Sequence, residues 1–194
     1  MKTKLKAYDL ALVGMFAALM AIGANLTSFL TVGTVPLSMQ PFFAILAGLL
    51  LGSRLGALSM IVYALIGIAG APVFAQFSGG IGVMFGSTGG FILSYIAAAY
   101  AAGKILEANK KPALPVFMLA SFAGIALIYI IGTTYMYAAL NYWLNVDMSY
   151  IGAWAVMTWF MVKDVIFTLI GALIAPRIYY AVHRKAGAGR HSAA

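Results

Sequence analysis

Long apolar runs separated by short polar or glycine-bearing breaks set the pattern of this chain. An α-helix needs roughly 20 apolar residues to cross a hydrocarbon core of about 30 Å, and only helices or closed barrels satisfy their own backbone groups inside lipid. The runs predict six transmembrane helices, at 9–30, 41–53, 56–71, 82–103, 113–138 and 152–180. The second and third are short for a crossing, and Gly48, Gly52 and Gly56 recur through them at four-residue spacing. Small residues so spaced let helix backbones approach closely where lipid supplies no hydrophobic drive, so helix packing is their expected role.

A different pattern runs from Gly70 to Gly90, where Gly79, Gly80, Gly82, Gly86 and Gly89 accompany Pro72. Glycine and proline at this density disfavour a regular helix, so most of the stretch reads as a structured loop. The loop overlaps the beginning of the fourth span, whose helix is therefore expected to start several residues later. Irregular backbone at membrane depth is tolerated when it is buried in protein or lines a cavity. Two roles follow for so apolar a loop: a cover over a ligand, or a structural turn folded back on the bundle.

Composition sharpens this picture. The chain is 64% hydrophobic and 8% charged, against about 25% charged residues in a soluble domain, so lipid is its expected solvent. Its 194 residues suit one bundle, and a single transmembrane domain over 1–194 is the expected organisation. Cysteine is absent, which removes disulfides and thiolate metal sites. A net charge of +8 raises the question of nucleic acid, but the basic residues sit at the ends and turns of apolar runs rather than on a soluble face. They report topology. Lys2, Lys4 and Lys6, then Arg54, then Lys104, Lys110 and Lys111, then Arg177, Arg184, Lys185 and Arg190 fall on one side of a six-span arrangement, whereas 31–40, 71–81 and 139–151 hold no Lys or Arg. The positive-inside bias makes the first side cytoplasmic, with both termini there and the uncharged loops outside. The first apolar run follows basic residues as a signal peptide does, but it lacks a convincing cleavage site and is expected to be retained as a helix.

Lys163 and Asp164 stand side by side near the middle of the last span. A charge at a helix centre costs about 2.5–3.5 kcal/mol on insertion scales, so both are expected to face the protein interior and find partners. Adjacent side chains leave a helix about 100° apart, which argues against a direct pair between them. Ligand contact, a structural polar network and a proton or ion relay all remain open for these two. Gln40 and Gln76 are uncharged polar groups at the external edge, each a ligand contact or a solvated loop residue. The aromatic residues, Tyr135 and Trp159 among them, suit an interfacial belt or the core. No phosphate-binding Gly-x-x-x-x-Gly-Lys-Ser/Thr loop, Gly-x-Ser-x-Gly elbow or His-Glu-x-x-His helix occurs, and His183 and His191 lack metal-site spacing. Neither a metal centre nor enzymatic activity is expected.

Several segments then become recognisable in order: Val35-Pro-Leu-Ser-Met-Gln40, Ala47-Gly-Leu-Leu-Leu-Gly-Ser-Arg-Leu-Gly-Ala57, Gly70-Ala-Pro-Val-Phe-Ala75, Ser78-Gly-Gly80 and Gly86-Ser-Thr-Gly-Gly-Phe91. Together they resemble the BioY family of biotin transporters, the substrate-binding S components of energy-coupling factor (ECF) transporters. The resemblance implies a six-helix protein that captures biotin from outside, in a pocket closed by the loops after helices one and three. Biotin is then the ligand, no cofactor is needed, and energy comes from a transmembrane coupling subunit with two cytoplasmic ATPases in a bacterial or archaeal cell membrane. Small residues of the first helix, Gly14, Ala17, Ala18 and Ala21, would offer the docking face for that module. Asp164 would accept a ureido N–H, and Lys163 would balance the charge of the site or meet the valerate carboxylate. Gln40, Gln76 and Thr88 would add neutral hydrogen bonds, with Phe74, Phe91, Tyr135 and Trp159 as walls. Two departures stand out: Phe91 replaces a tyrosine often found in the family, and Lys163 precedes Asp164 where the family often carries a lysine three residues after the aspartate. An S component for another small vitamin, or a structural membrane protein held together by Lys163 and Asp164, are the competing readings.

Overall fold

A computed structural model describes residues 5–32 and 35–191, with side chains described for 5–31 and 35–181. The order is α1 (Ala7–Asn25), a two-residue hairpin of β1 (Thr31–Val32) and β2 (Val35–Pro36), α2 (Gln40–Ile68), two 3-10 turns (Ala75–Phe77 and Ile81–Phe85), α3 (Gly89–Glu107), α4 (Leu114–Tyr142) and α5 (Tyr150–His191). Lys2 and Lys4 lie outside the described residues, as do the side chains of Arg184, Lys185 and Arg190 and those of the tail histidines.

Five helices are long and apolar enough to cross a membrane, α5 over Tyr150–Ala181. Their outward faces are as apolar as their inward ones: Leu10, Leu65, Leu119, Ile130, Ile151 and Leu173 are all exposed. A helix that is hydrophobic all round belongs either in a large core or in lipid, and a chain this small has no such core to offer. Local signals place the ends. Asp9 accepts the backbone N–H of Lys6 at 2.9 Å, answering one orphan donor at the start of α1. Pro41 and Pro115 sit in the first turns of α2 and α4, where a missing N–H costs nothing.

The predicted second and third helices form one element with a single interruption. Gly52 takes φ 81° and ψ 177°, a conformation essentially reserved for glycine, and there the chain doubles back. In a straight helix Gln40 and Tyr63 would stand about 35 Å apart, yet the Gln40 amide donates to the Tyr63 hydroxyl at 2.8 Å. Gly56 faces Ala47 and Gly48 so closely that a Cβ on it would lie 2.9 Å from the Gly48 Cα. The expectation that all three glycines are packing positions therefore needs correction. Gly48 and Gly56 do pack, but Gly52 makes the turn. The Glu107 carboxylate of α3 secures it, accepting the Ser53 backbone N–H at 2.7 Å and the Ser53 hydroxyl at 2.8 Å.

The fourth predicted span begins too early: α3 starts at Gly89, not at 82, because the glycine-rich stretch folds as the two 3-10 turns. The first span likewise ends at Asn25 rather than 30, where the chain leaves for the hairpin. Packing runs most extensively between α2 and α3 and between α3 and α4, with α1 against α2 and α5 against α4. The core between them includes Met20, Met60, Phe117, Ile128 and Met136, all essentially buried.

Candidate functional site

A cavity of about 200 Å³ opens at the end of the bundle that carries the hairpin and the 3-10 turns. Its walls come from every element except α1 and β1, among them Ser38 and Gln40 where α2 begins, Phe74 and Gln76 from the first turn, Thr88 and Phe91 at the start of α3, Tyr129 of α4, and Phe160, Lys163 and Asp164 of α5. Of the residues proposed from sequence, Asp164, Lys163, Gln40, Phe74, Gln76, Thr88 and Phe91 are brought together here. Two are not. Trp159 points outward with 73% of its surface exposed, as an aromatic residue on a lipid-facing helix surface does. Tyr135 lies behind Gly90, donates its hydroxyl to the Met84 carbonyl at 2.6 Å and stacks edge-on with Trp143, which itself donates to the Phe85 carbonyl. The pair pins the second 3-10 turn to α4 from outside the cavity.

The charged pair departs from expectation. Lys163 Nζ and Asp164 Oδ1 are 2.8 Å apart, although their positions on the helix differ by about 100°. The angular argument holds for the Cα–Cβ bonds and fails for the tip of a flexible four-carbon stem, which curls around to its neighbour. Lys163 also donates to the Ser38 carbonyl, and the Tyr129 hydroxyl donates to Asp164 Oδ2 at 2.7 Å. Both carboxylate oxygens thus have a donor, as burial of a charge requires. Each retains a further lone-pair direction, so the group can still accept from a ligand N–H. Gln40, which lines the cavity, donates an amide N–H to the Tyr63 hydroxyl. Phe74 is buried edge-on against Tyr63, and Phe91 against Tyr129, which gives two fixed apolar surfaces. Chemically, the site suits a compact ligand with flat or fused apolar parts, at least one N–H and an anionic or strongly accepting group.

The first 3-10 turn is an unusual wall. Gln76 and Phe77 both adopt positive φ, 59° and 53°, which disfavours L-residues by roughly 1–2 kcal/mol each. The turn is held by an antiparallel bridge between Phe74 and Ser78 and by Asn25 at the end of α1, whose Oδ1 accepts the Phe77 backbone N–H at 2.7 Å.

These features coincide with a known family. Residues 1–184 match the BioY family model. The chain belongs to the BioY family. A relative in Bacillus subtilis described as putative biotin transporter BioYB is 57% identical over 191 residues, covering 97% of this chain and 96% of the relative. The biotin transporter BioY of Thermotoga maritima is 35% identical over 166 residues, 85% of this chain and 92% of that protein. In three dimensions the chain is similar to the crystal structure of the S-component for biotin from an ECF-type ABC transporter, with a TM-score of 0.70 over 90% of this chain and 94% of that one at 19% identity. The BioY chain is accordingly a multi-pass membrane protein with an S-component fold.

Sequence reasoning missed Ser38, Tyr95, Tyr129, Met157 and Phe160 as cavity residues. For Tyr95 and Tyr129 a signal existed: both lie in mid-span rather than at an interface, and a hydroxyl at that depth needs a partner. For the others none did, because Ser38 acts through its backbone carbonyl and Met157 and Phe160 are ordinary core types.

Proposed function

We propose that this BioY protein is the biotin-binding S component of an ECF-type transporter, capturing biotin in the cavity from the external face for uptake driven by an ATPase module. The observation that carries the proposal is the buried Asp164 carboxylate paired with the half-buried Lys163, both lining a cavity walled by Phe74 and Phe91. An apolar site with a few placed polar groups is what fused rings with a ureido group and a carboxylate tail require. Asp164 accepts a ureido N–H, and Lys163, which already neutralises Asp164, balances the charge or turns to the valerate. Gln40, Gln76 and Thr88 supply neutral hydrogen bonds. The names of the relatives in B. subtilis and T. maritima support the choice of biotin.

The same reading has the chain as a single domain crossing the membrane six times, the two halves of α2 counting separately. The turn at Gly52 supports this, although the halves, about 18 and 24 Å long, leave other elements to complete the depth. Both termini are then cytoplasmic. The expected partners are a transmembrane coupling subunit and two ATPases, docking on the groove that Gly14, Ala17, Ala18 and Ala21 form with Ile66 and Val73 on the outside of α1 and α2.

A second reading has one observation in its favour: Lys163 and Asp164 satisfy each other together with Ser38 and Tyr129, as a purely structural network would. Titration calorimetry of the purified protein with biotin, riboflavin and thiamine separates the readings. Saturable binding of biotin alone supports capture. Binding of another vitamin reassigns the substrate, and no binding by folded protein returns the pair to a structural role.

A further inference from the structure

The geometry points to Asn25 as a positioning residue for the cavity, one that holds Gln76 in place without lining the site itself. Its amide spans a five-residue turn from both ends: Oδ1 accepts the Phe77 N–H at 2.7 Å, and Nδ2 donates to the Val73 carbonyl at 3.4 Å and to the Ala21 carbonyl of its own helix at 3.0 Å. Between Val73 and Phe77 lie Phe74, Ala75 and Gln76, all three of which line the cavity. One side chain therefore closes the loop as a backbone peptide would, and ties it to the end of α1.

The turn needs such a tie. Gln76 and Phe77 both sit in the left-handed region, which only over-determination by the surroundings keeps populated in non-glycine residues. Phe77 has 70% of its surface exposed, so packing of its ring does not hold it there. The bonds that do are the Asn25 amide, the bridge between Phe74 and Ser78, and the Ser78 hydroxyl and N–H, both of which donate to the Ala75 carbonyl within the turn. A second support meets the same carbonyl: Tyr63 donates to Val73 O at 3.2 Å and receives the amide of Gln40, itself a cavity residue. Release of the Asn25 bonds lets Gln76 and Phe77 relax toward negative φ, which swings the Gln76 side chain away and opens the wall beside Phe74. Loss of the brace thus acts on ligand residence more than on global stability, because a single surface turn opens at lower free energy than the bundle.

This inference rests on the proposal that biotin occupies the cavity, and its test separates the two. Biotin dissociation is timed from the full-length protein in lipid nanodiscs, and hydrogen exchange of residues 74–78 is measured without biotin. Asn25→Leu is expected to release biotin about tenfold faster, the scale of about one net hydrogen bond, and to speed exchange in 74–78 with little change in melting temperature. Asn25→Asp keeps the acceptor for Phe77 and loses both donors, so its release rate falls between. Adding Phe77→Gly to Asn25→Leu makes positive φ acceptable at that position and is expected to slow release again. Unchanged exchange in Asn25→Leu overturns the brace whether or not biotin binds. So does a loss of affinity that tracks melting temperature and that Phe77→Gly fails to rescue. Absence of biotin binding by wild type, with faster exchange in Asn25→Leu, overturns the ligand assignment and leaves the brace standing.

Discussion

Asp164 concentrates the chemistry of the cavity in one carboxylate with two internal donors, Lys163 and Tyr129. Asp164→Asn preserves shape and the Tyr129 contact but leaves Lys163 without a counter-charge and replaces a charged acceptor by a neutral one. Hydrogen bonds to charged groups are worth about 1.5–3 kcal/mol, so biotin affinity is expected to fall about 10- to 100-fold by calorimetry, while the protein still elutes as a folded species in detergent. Loss of the folded peak with no separate effect on affinity would favour the structural network. The presence of Asp164 and Lys163 in the site was legible from their cost in lipid, since a charge at that depth must face inward. Their mutual bond was not legible, because helix geometry fixes where a side chain starts and not where a long one ends. Trp159 shows the converse limit. An aromatic residue serves lipid and ligand equally well, and five positions before Asp164 it faces out.

At the scale of elements, the Gly52 turn organises α2 and the C-terminal end of α3 together. Any Cβ at Gly52 meets both an unfavourable φ and the Glu107 carboxylate, 2.6 Å from its ideal position. Gly52→Ala is therefore expected to destabilise the protein by about 1–3 kcal/mol, read as a lowered melting temperature in detergent, with biotin affinity of the surviving folded fraction unchanged because the turn lies at the opposite end from the cavity. The glycine spacing through 48, 52 and 56 was visible in the sequence, but the same spacing suits a packing stripe and a turn flanked by two packing positions. The backbone angles of Gly52 and the pairing of Gln40 with Tyr63 distinguish them. The glycine-rich stretch disfavours a regular α-helix, since a helix pays about 1 kcal/mol per glycine, and α3 begins only at Gly89. Its division into two turns, one tied to α1 by Asn25 and the other to α4 by Tyr135 and Trp143, depends on contacts between residues more than fifty positions apart.

For the whole molecule, charge distribution bears on orientation. The natural absence of cysteine makes single-cysteine labelling direct. Val146→Cys, in the loop between α4 and α5, is expected to react with a membrane-impermeant maleimide on intact cells, and Asn109→Cys, between α3 and α4, only after permeabilisation; the opposite pattern would invert the topology. Both positions lie outside the helices, and the one side-chain bond given up is the exposed one from Asn109 Nδ2 to the Ile105 carbonyl.

The sequence by itself determined that this protein lives in lipid, that helices carry it across, where its basic residues gather and which two charges must turn inward. Those properties follow from summed transfer energies along the chain, which need no knowledge of neighbours. Tertiary structure decided that α2 doubles back, that Tyr129 and Ser38 complete the charged pair, that Trp159 leaves the site, and that Asn25 holds a wall it does not join. Each depends on which distant groups come within hydrogen-bonding distance, and helix periodicity carries no information about that.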